Sequence, residues 1–229
     1  MFPLKTSIPL TKFPFVNWLL IFINIAVFMK MVQMSNYEEN LFIYQYGLVA
    51  KKIFVDNPAL TLTDRYLPIL SSMFIHGGFL HILGNMYFLF IFGKNMEGKL
   101  GHLKYLFIYI MFGFAAALTQ IVMFPDSVIP MVGASGAVAG VMGAYLIFYP
   151  RAKVKTLVII IIFITIVDIP AVIFLLLWFG FQFLNGTGGV GGNVAWWAHI
   201  GGFIVGLMYA VYFVRKNDYI ETKEPYRYN

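Results

Sequence analysis

A chain of 229 residues that is 60% hydrophobic and 11% charged, with a mean hydropathy of +0.80, falls outside the soluble class, where charged residues run near ~25%. Cysteine is absent, which excludes disulfide frameworks, thiolate metal sites and cysteine catalysis together. The net charge of +6 would point to nucleic acid in a soluble chain. In a membrane protein, basic residues at helix ends record topology instead, so no nucleic-acid partner is expected.

Six spans are predicted, each close to the ~20 apolar residues that a bilayer requires. The first runs from Phe15 to Met34 behind a short cytoplasmic segment, residues 1–14, and lacks a small-residue cleavage site, so it reads as a retained helix. The connection from Ser35 to Ser71 mixes Lys51, Lys52, Asp56, Asp64 and Arg65 with Leu41, Phe42, Tyr44 and Phe54, and reads as a structured loop lying partly in the interface. The second, third and fourth spans run from Gly78 to Met96, Gly101 to Met123 and Val132 to Tyr149. Leu157 to Val167 is apolar but too short to span, and its β-branched residues disfavour an isolated helix. It is read as an interfacial or re-entrant segment, with an extended form open to it. The fifth span, Pro170 to Leu184, is rich in Phe, Leu and Trp and is read as a lipid-facing gate. The sixth runs from Trp197 to Val214, before a cytoplasmic tail, residues 215–229.

Charge sets the parity. Lys5, Lys12, Lys94, Lys99, Lys104, Arg151, Lys153, Lys155, Arg215, Lys216, Lys223 and Arg227 all fall on one side, 12 of the 16 basic residues, while the third and fifth connections carry none. The positive-inside rule then makes both termini cytoplasmic. The expected fold is an all-α polytopic membrane bundle of six transmembrane helices over residues 15–214, N-in and C-in.

Helices two, four and six run parallel in that topology, which puts Ser135 and His199 at one depth near the outer face. Polar side chains are costly in hydrocarbon and usually mark function there. Gly136 and Gly140, and Gly202 and Gly206, form Gly-x-x-x-Gly faces that let the two backbones approach; taken alone they are ordinary packing motifs. A serine becomes a nucleophile when a base lies within about 2.6 to 3.2 Å, and with no carboxylate nearby a Ser-His dyad is the economical mechanism. His81 and Asn85 stack on one face of helix two and can converge on a developing oxyanion, joined by the Ser135 amide at a helix N-terminus. They can equally serve as interhelical glue. A metal held by His76, His81 and His199 is the weaker alternative, because no carboxylate joins them, so no metal or other cofactor is expected. His76 is placed in the loop as a brace, and His102 at the inner face as simply solvated.

The Gly133-Ala134-Ser135-Gly136 motif, the His76, His81, Asn85 spacing, the Glu97-Gly98-Lys99-Leu100-Gly101 turn and the Ala198-His199-Ile200-Gly201-Gly202 motif together resemble the rhomboid intramembrane serine proteases. The resemblance covers roughly residues 70–214. It implies hydrolysis of peptide bonds in or beside transmembrane segments of other membrane proteins, with Ser135 as nucleophile and His199 as general base. It also implies His81, Asn85 and Gly133 at the oxyanion and substrate site, Gln120 holding catalytic water, and structural parts for His76, Glu97, Gly136 and Gly202. The expected partners are transmembrane substrates and the lipid bilayer, and the expected location is the cell membrane of a prokaryote, with the site toward the outer face. Three departures stand out, the first being Leu157 to Val167, which is long for the family's simplest members. Pro68 and Ile69 replace a Trp-Arg pair that often anchors the first loop, and Ala139 replaces an aromatic residue that often stacks on the histidine, leaving Trp197 either as its substitute or as a girdle residue at the lipid boundary. An inactive relative that binds transmembrane clients, and a channel or transporter, are the competing readings.

Overall fold

The computed structural model of the chain describes residues 2–160, 163–188 and 194–216. In order, its elements are β1 (Phe2–Thr6), α1 (Phe15–Met31), α2 (Asn36–Tyr46), α3 (Ala50–Phe54), α4 (Leu62–Ser71), α5 (Phe79–Phe88), α6 (Lys94–Leu100), α7 (His102–Met123), α8 (Ser135–Phe148), β2 (Lys153–Ile160), β3 (Phe163–Pro170), α9 (Ala171–Thr187) and α10 (Trp196–Lys216). A 3-10 turn, Ser72–Phe74, follows α4, and a π-helical turn, Leu89–Gly93, joins α5 to α6. Every apolar segment read as a span is helical. Among the described residues α7 and α10 are long and apolar enough to cross a membrane alone, and α4 with its 3-10 turn qualifies together with α5–α6 as a pair bent by 75°. The helices α1, α8 and α9 are apolar but shorter. The helix expected from Val132 begins only at Ser135, because Gly133 takes a φ of +120° that an α-helix cannot contain.

Leu157 to Val167 falls in an antiparallel hairpin, β2 with β3, whose central residues 161–162 lie outside the described residues. What its own sequence did not announce is the third strand. β1 pairs with β2 in register Phe2 with Leu157 and Thr6 with Val154, over a bulge between Pro3 and Lys5. The N-terminal strand and the α8–α9 connection therefore sit at one end of the bundle.

Glu97 ties the same end together. Its two carboxylate oxygens accept the backbone N–H groups of Val16 and Asn17 at 2.9 and 2.7 Å, satisfying donors that the first turn of α1 cannot pair within its own helix. His102 is exposed, as expected, and also meets the same carboxylate through Nδ1. Glu97 is 1% exposed, and two charge-assisted bonds depend on it. Glu97→Ala is expected to lower stability by about 3 kcal/mol, read as thermal unfolding in detergent micelles, with Glu97→Gln intermediate. A turn further along, Asn17 Nδ2 donates to the carbonyl of Leu89 and Asn17 Oδ1 accepts from Tyr105. That side chain occupies the space beside Gly93 and supplies a donor where the π-turn opens the helical ladder.

The opposite end carries the long first connection, which is largely helical. Two capping boxes start its helices: Ser35 with Glu38, and Thr61 with Asp64. The Thr61 hydroxyl, then its backbone N–H, holds the Asp64 carboxyl below its ordinary range, so this cap is at full strength above that range and fails as pH falls through the lowered value. Arg65 supplies the anchor that Pro68 and Ile69 cannot, donating from Nη1 to the carbonyls of Lys52 and Val55 at 2.9 and 2.7 Å and from Nη2 to Asn57. A bridge between Leu48 and Met131 fastens the connection to the loop before α8.

α8 runs through the centre. From Gly136 to Tyr145 every residue is buried, as an all-apolar helix of Gly, Ala, Val and Met requires. A Cβ on Gly202 would strike the carbonyl of Gly136, one on Gly206 that of Gly140, and one on Gly143 that of Phe203. The two Gly-x-x-x-Gly faces are thus in backbone contact with each other.

Candidate active site

That contact sets the distance between the two polar residues at its head. Ser135 is the first residue of α8 and His199 lies in the first turn of α10, and His199 Nε2 stands 2.7 Å from Ser135 Oγ. His199 is buried and Ser135 half-buried. The separation lies within the range across which an imidazole can take a hydroxyl proton.

The far side of the imidazole is engaged too. Nδ1 is 2.7 Å from Oε1 of Gln182, a buried residue of α9. The rings against His199 are Trp178, tilted with centroids 6.1 Å apart, and Trp196, edge-on at 6.0 Å, whereas Trp197 lies toward Gly186. Gln182 was not singled out from the sequence, and of the two roles open to Trp197 stacking on His199 is not the one seen. The signal for Gln182 was present: one amide among Phe, Leu and Trp in an apolar helix.

Gly133 lets His81 come up against the serine loop. A Cβ there would strike the His81 ring, 2.6 Å from Nε2, and lie 3.6 Å from Ser135 Oγ, so His81 occupies the place of a side chain at 133 and stands next to the nucleophile. Its own amide donates to the carbonyl of Ser72 at 2.9 Å. Gly133 therefore contributes the close approach of His81 and a backbone bend, while its amide is engaged by Ser72. Asn85 is buried and gives one N–H of its amide to the carbonyl of His81 at 3.0 Å, with the second remaining. His76 is fully buried behind them, with Nε2 accepting the Ala134 N–H and its ring edge-on to His81 at 5.1 Å. It braces the serine loop, as a loop histidine was expected to do for the first connection. Gln120 makes no hydrogen bond to Ser135 or His199 among the described residues, and its Oε1 is buried without a partner. A cavity of about 10 Å³ opens between Ser135, Gly113, Ala116, Gly136 and Ala198, close to the smallest space that holds one water. Among the described residues no cluster of three His, Cys, Asp or Glu side chains is spaced to hold a metal ion.

Residues 63–216 match the rhomboid domain family, more than half of the chain. The chain belongs to the rhomboid family. Members of this family are integral membrane proteins, and the rhomboid match takes in α5 to α10 and every residue of the site just described. The chain is 33% identical over 147 residues to RHOMBOID-like protein 4 of Arabidopsis thaliana, a stretch covering 63% of this chain and 33% of that protein. It is 32% identical over 104 residues to the mitochondrial presenilin-associated rhomboid-like protein A of Danio rerio, 44% of this chain and 27% of the relative. It is also 32% identical over 81 residues to inactive rhomboid protein 1 of Drosophila melanogaster, 35% of this chain and 6% of the relative. The matched stretches are a minor part of these longer rhomboid proteins.

Proposed function

We propose that this rhomboid is an intramembrane serine endopeptidase that cuts peptide bonds in or beside the transmembrane segments of other membrane proteins. The observation that carries the reading is the 2.7 Å contact between Ser135 Oγ and His199 Nε2, with His81 packed against Gly133 next to it. Ser135 Oγ attacks the substrate carbonyl carbon while Nε2 takes the hydroxyl proton, and the carbonyl π pair moves onto oxygen. His81, the second N–H of Asn85 and the Ser135 amide stabilise that oxyanion. Collapse expels the amine, which leaves with the proton from Nε2, and water then hydrolyses the acyl-enzyme by the same route. Gln120 offers an acceptor for that water. The cavity beside Ser135 is of the size to hold one such water.

The same reading takes α1, α5–α6, α7, α8, α9 and α10 as six spans. The sheet and the Glu97 cluster gather the basic residues at one end, the cytoplasmic end by the positive-inside rule. Residues 217–229, with Lys223 and Arg227, lie outside the described residues and enter the charge count through sequence alone. The active site then opens at the outer face, where a substrate helix is weakest and its carbonyls are easiest to expose.

The test is a fluorophosphonate probe and a transmembrane substrate, given to the purified protein and to Ser135→Ala. Labelling and cleavage are expected in the first and neither in the second. Equal cleavage by both would overturn the assignment, and absence of both from the parent protein would leave a client-binding rhomboid.

A further inference from the structure

We propose that Gln182 is the positioning residue for His199, so that the placement of α9 controls whether the base stands in its working tautomer. The proposal deepens the hydrolase reading and rests on it.

Gln182 is 5% exposed and is the one polar side chain among the buried residues of α9. Its helix otherwise presents Ile173, Leu177, Phe181 and Leu184 outward. A buried amide in such a setting is costly unless it is paired. The other polar side chains near the end of α9 pair within their own helix, Asn185 with the carbonyl of Phe181 and Thr187 with that of Phe183. Gln182 instead reaches across to α10, where its Oε1 meets His199 Nδ1 at 2.7 Å.

The chemistry of that contact is one-directional. An amide oxygen only accepts, so Nδ1 must carry the single proton of a neutral imidazole, and Nε2 keeps its lone pair toward Ser135. The reversed amide would donate to Nδ1, move the ring proton to Nε2 and leave no acceptor for the serine hydroxyl. Gln182 thereby does for this histidine what a third polar group does in other serine hydrolases, without a charge. α9 also supplies Trp178 against the ring, where Ala139 of α8 offers no aromatic surface. Both contacts come from one helix. A displacement of α9 that opened a lateral path for substrate would release the base, and its return would restore it.

The titratable groups near the ring are Ser135 from α8 and His81 from α5, with His76 behind His81. α5, α8 and α9 contain no charged residue, and those of α7 and α10 lie at their opposite ends. A carboxylate at position 182 would therefore act on His199 without a competing charge.

The experiment measures kcat and KM against pH for a transmembrane substrate, with wild type, Gln182→Met and Gln182→Glu. The methionine variant keeps the volume and loses the acceptor. It is expected to lower kcat by about 10²-fold, with KM little changed, the loss typical of a reacting group misplaced by about an ångström. The glutamate variant still accepts from Nδ1 and favours the imidazolium, so kcat is retained at high pH and the acid limb of its profile moves upward. Wild-type kcat in Gln182→Met would overturn the proposal, as would a Gln182→Glu profile superimposable on that of wild type. Equal losses in both variants, matched by equal losses of thermal stability, would also overturn it in favour of packing alone. Failure of the hydrolase reading is separate, because it shows in the wild-type protein itself, as turnover that is absent or that survives Ser135→Ala.

Discussion

Ser135→Ala, His199→Ala and the double variant are expected to lose the same activity, roughly 10⁴-fold in kcat/KM for a transmembrane substrate. A nucleophile and a base 2.7 Å apart act as one unit: once the hydroxyl is gone the imidazole has no proton to take, and without the imidazole the hydroxyl stays protonated. Independent contributions would multiply, and the double variant would then fall by the product of the two single losses. On the proposed mechanism the activity left in the double variant belongs to groups outside the pair, the oxyanion donors assigned there to His81, Asn85 and the Ser135 amide. The measurement is a double-mutant cycle at one pH, with circular dichroism and thermal unfolding to show that all three variants remain folded. Multiplicative losses would separate Ser135 from His199 and end the dyad.

Much of this arrangement could be read from sequence because it obeys local rules. The apolar segments are helices since lipid leaves the backbone few alternatives, and Ser135 and His199 stand at the heads of two helices in contact, α8 and α10. The Gly-x-x-x-Gly faces were visible as spacing, and they do meet. What escaped depends on rotation and long-range pairing. Gln182 belongs to no motif, and its meaning depends on which side of α9 faces α10. Arg65 is four residues from the expected anchor position yet reaches four carbonyls of the first connection. Pairing of Phe2 with Leu157 joins segments too distant in sequence for any local pattern to announce. Gly133 was assigned to the oxyanion site by resemblance, and only its bond to Ser72 reveals that its amide points elsewhere.

Gly202→Val is expected to reduce kcat by more than about 10²-fold even though residue 202 touches neither substrate nor the reacting atoms. A side chain at this position meets the backbone carbonyl of Gly136, which has no rotamer with which to yield, and Gly136 itself is backed by Ala116. The two helices must separate. Gly136 adjoins Ser135, and His199 lies one turn before Gly202, so the gap opens where the hydrogen bond is made. Gly206→Val places the same wedge one turn deeper, against Gly140, and is expected to lower thermal stability as much while costing less turnover. Gly180 on α9 has open space around it, and Gly180→Val serves as the control, with turnover and unfolding temperature close to wild type. The decisive quantity is the ratio of turnover loss between Gly202→Val and Gly206→Val at equal loss of stability. A ratio near one would mean that α8–α10 packing supports only the fold. A large ratio would mean that close backbone contact at the head of these helices is what holds nucleophile and base in reach.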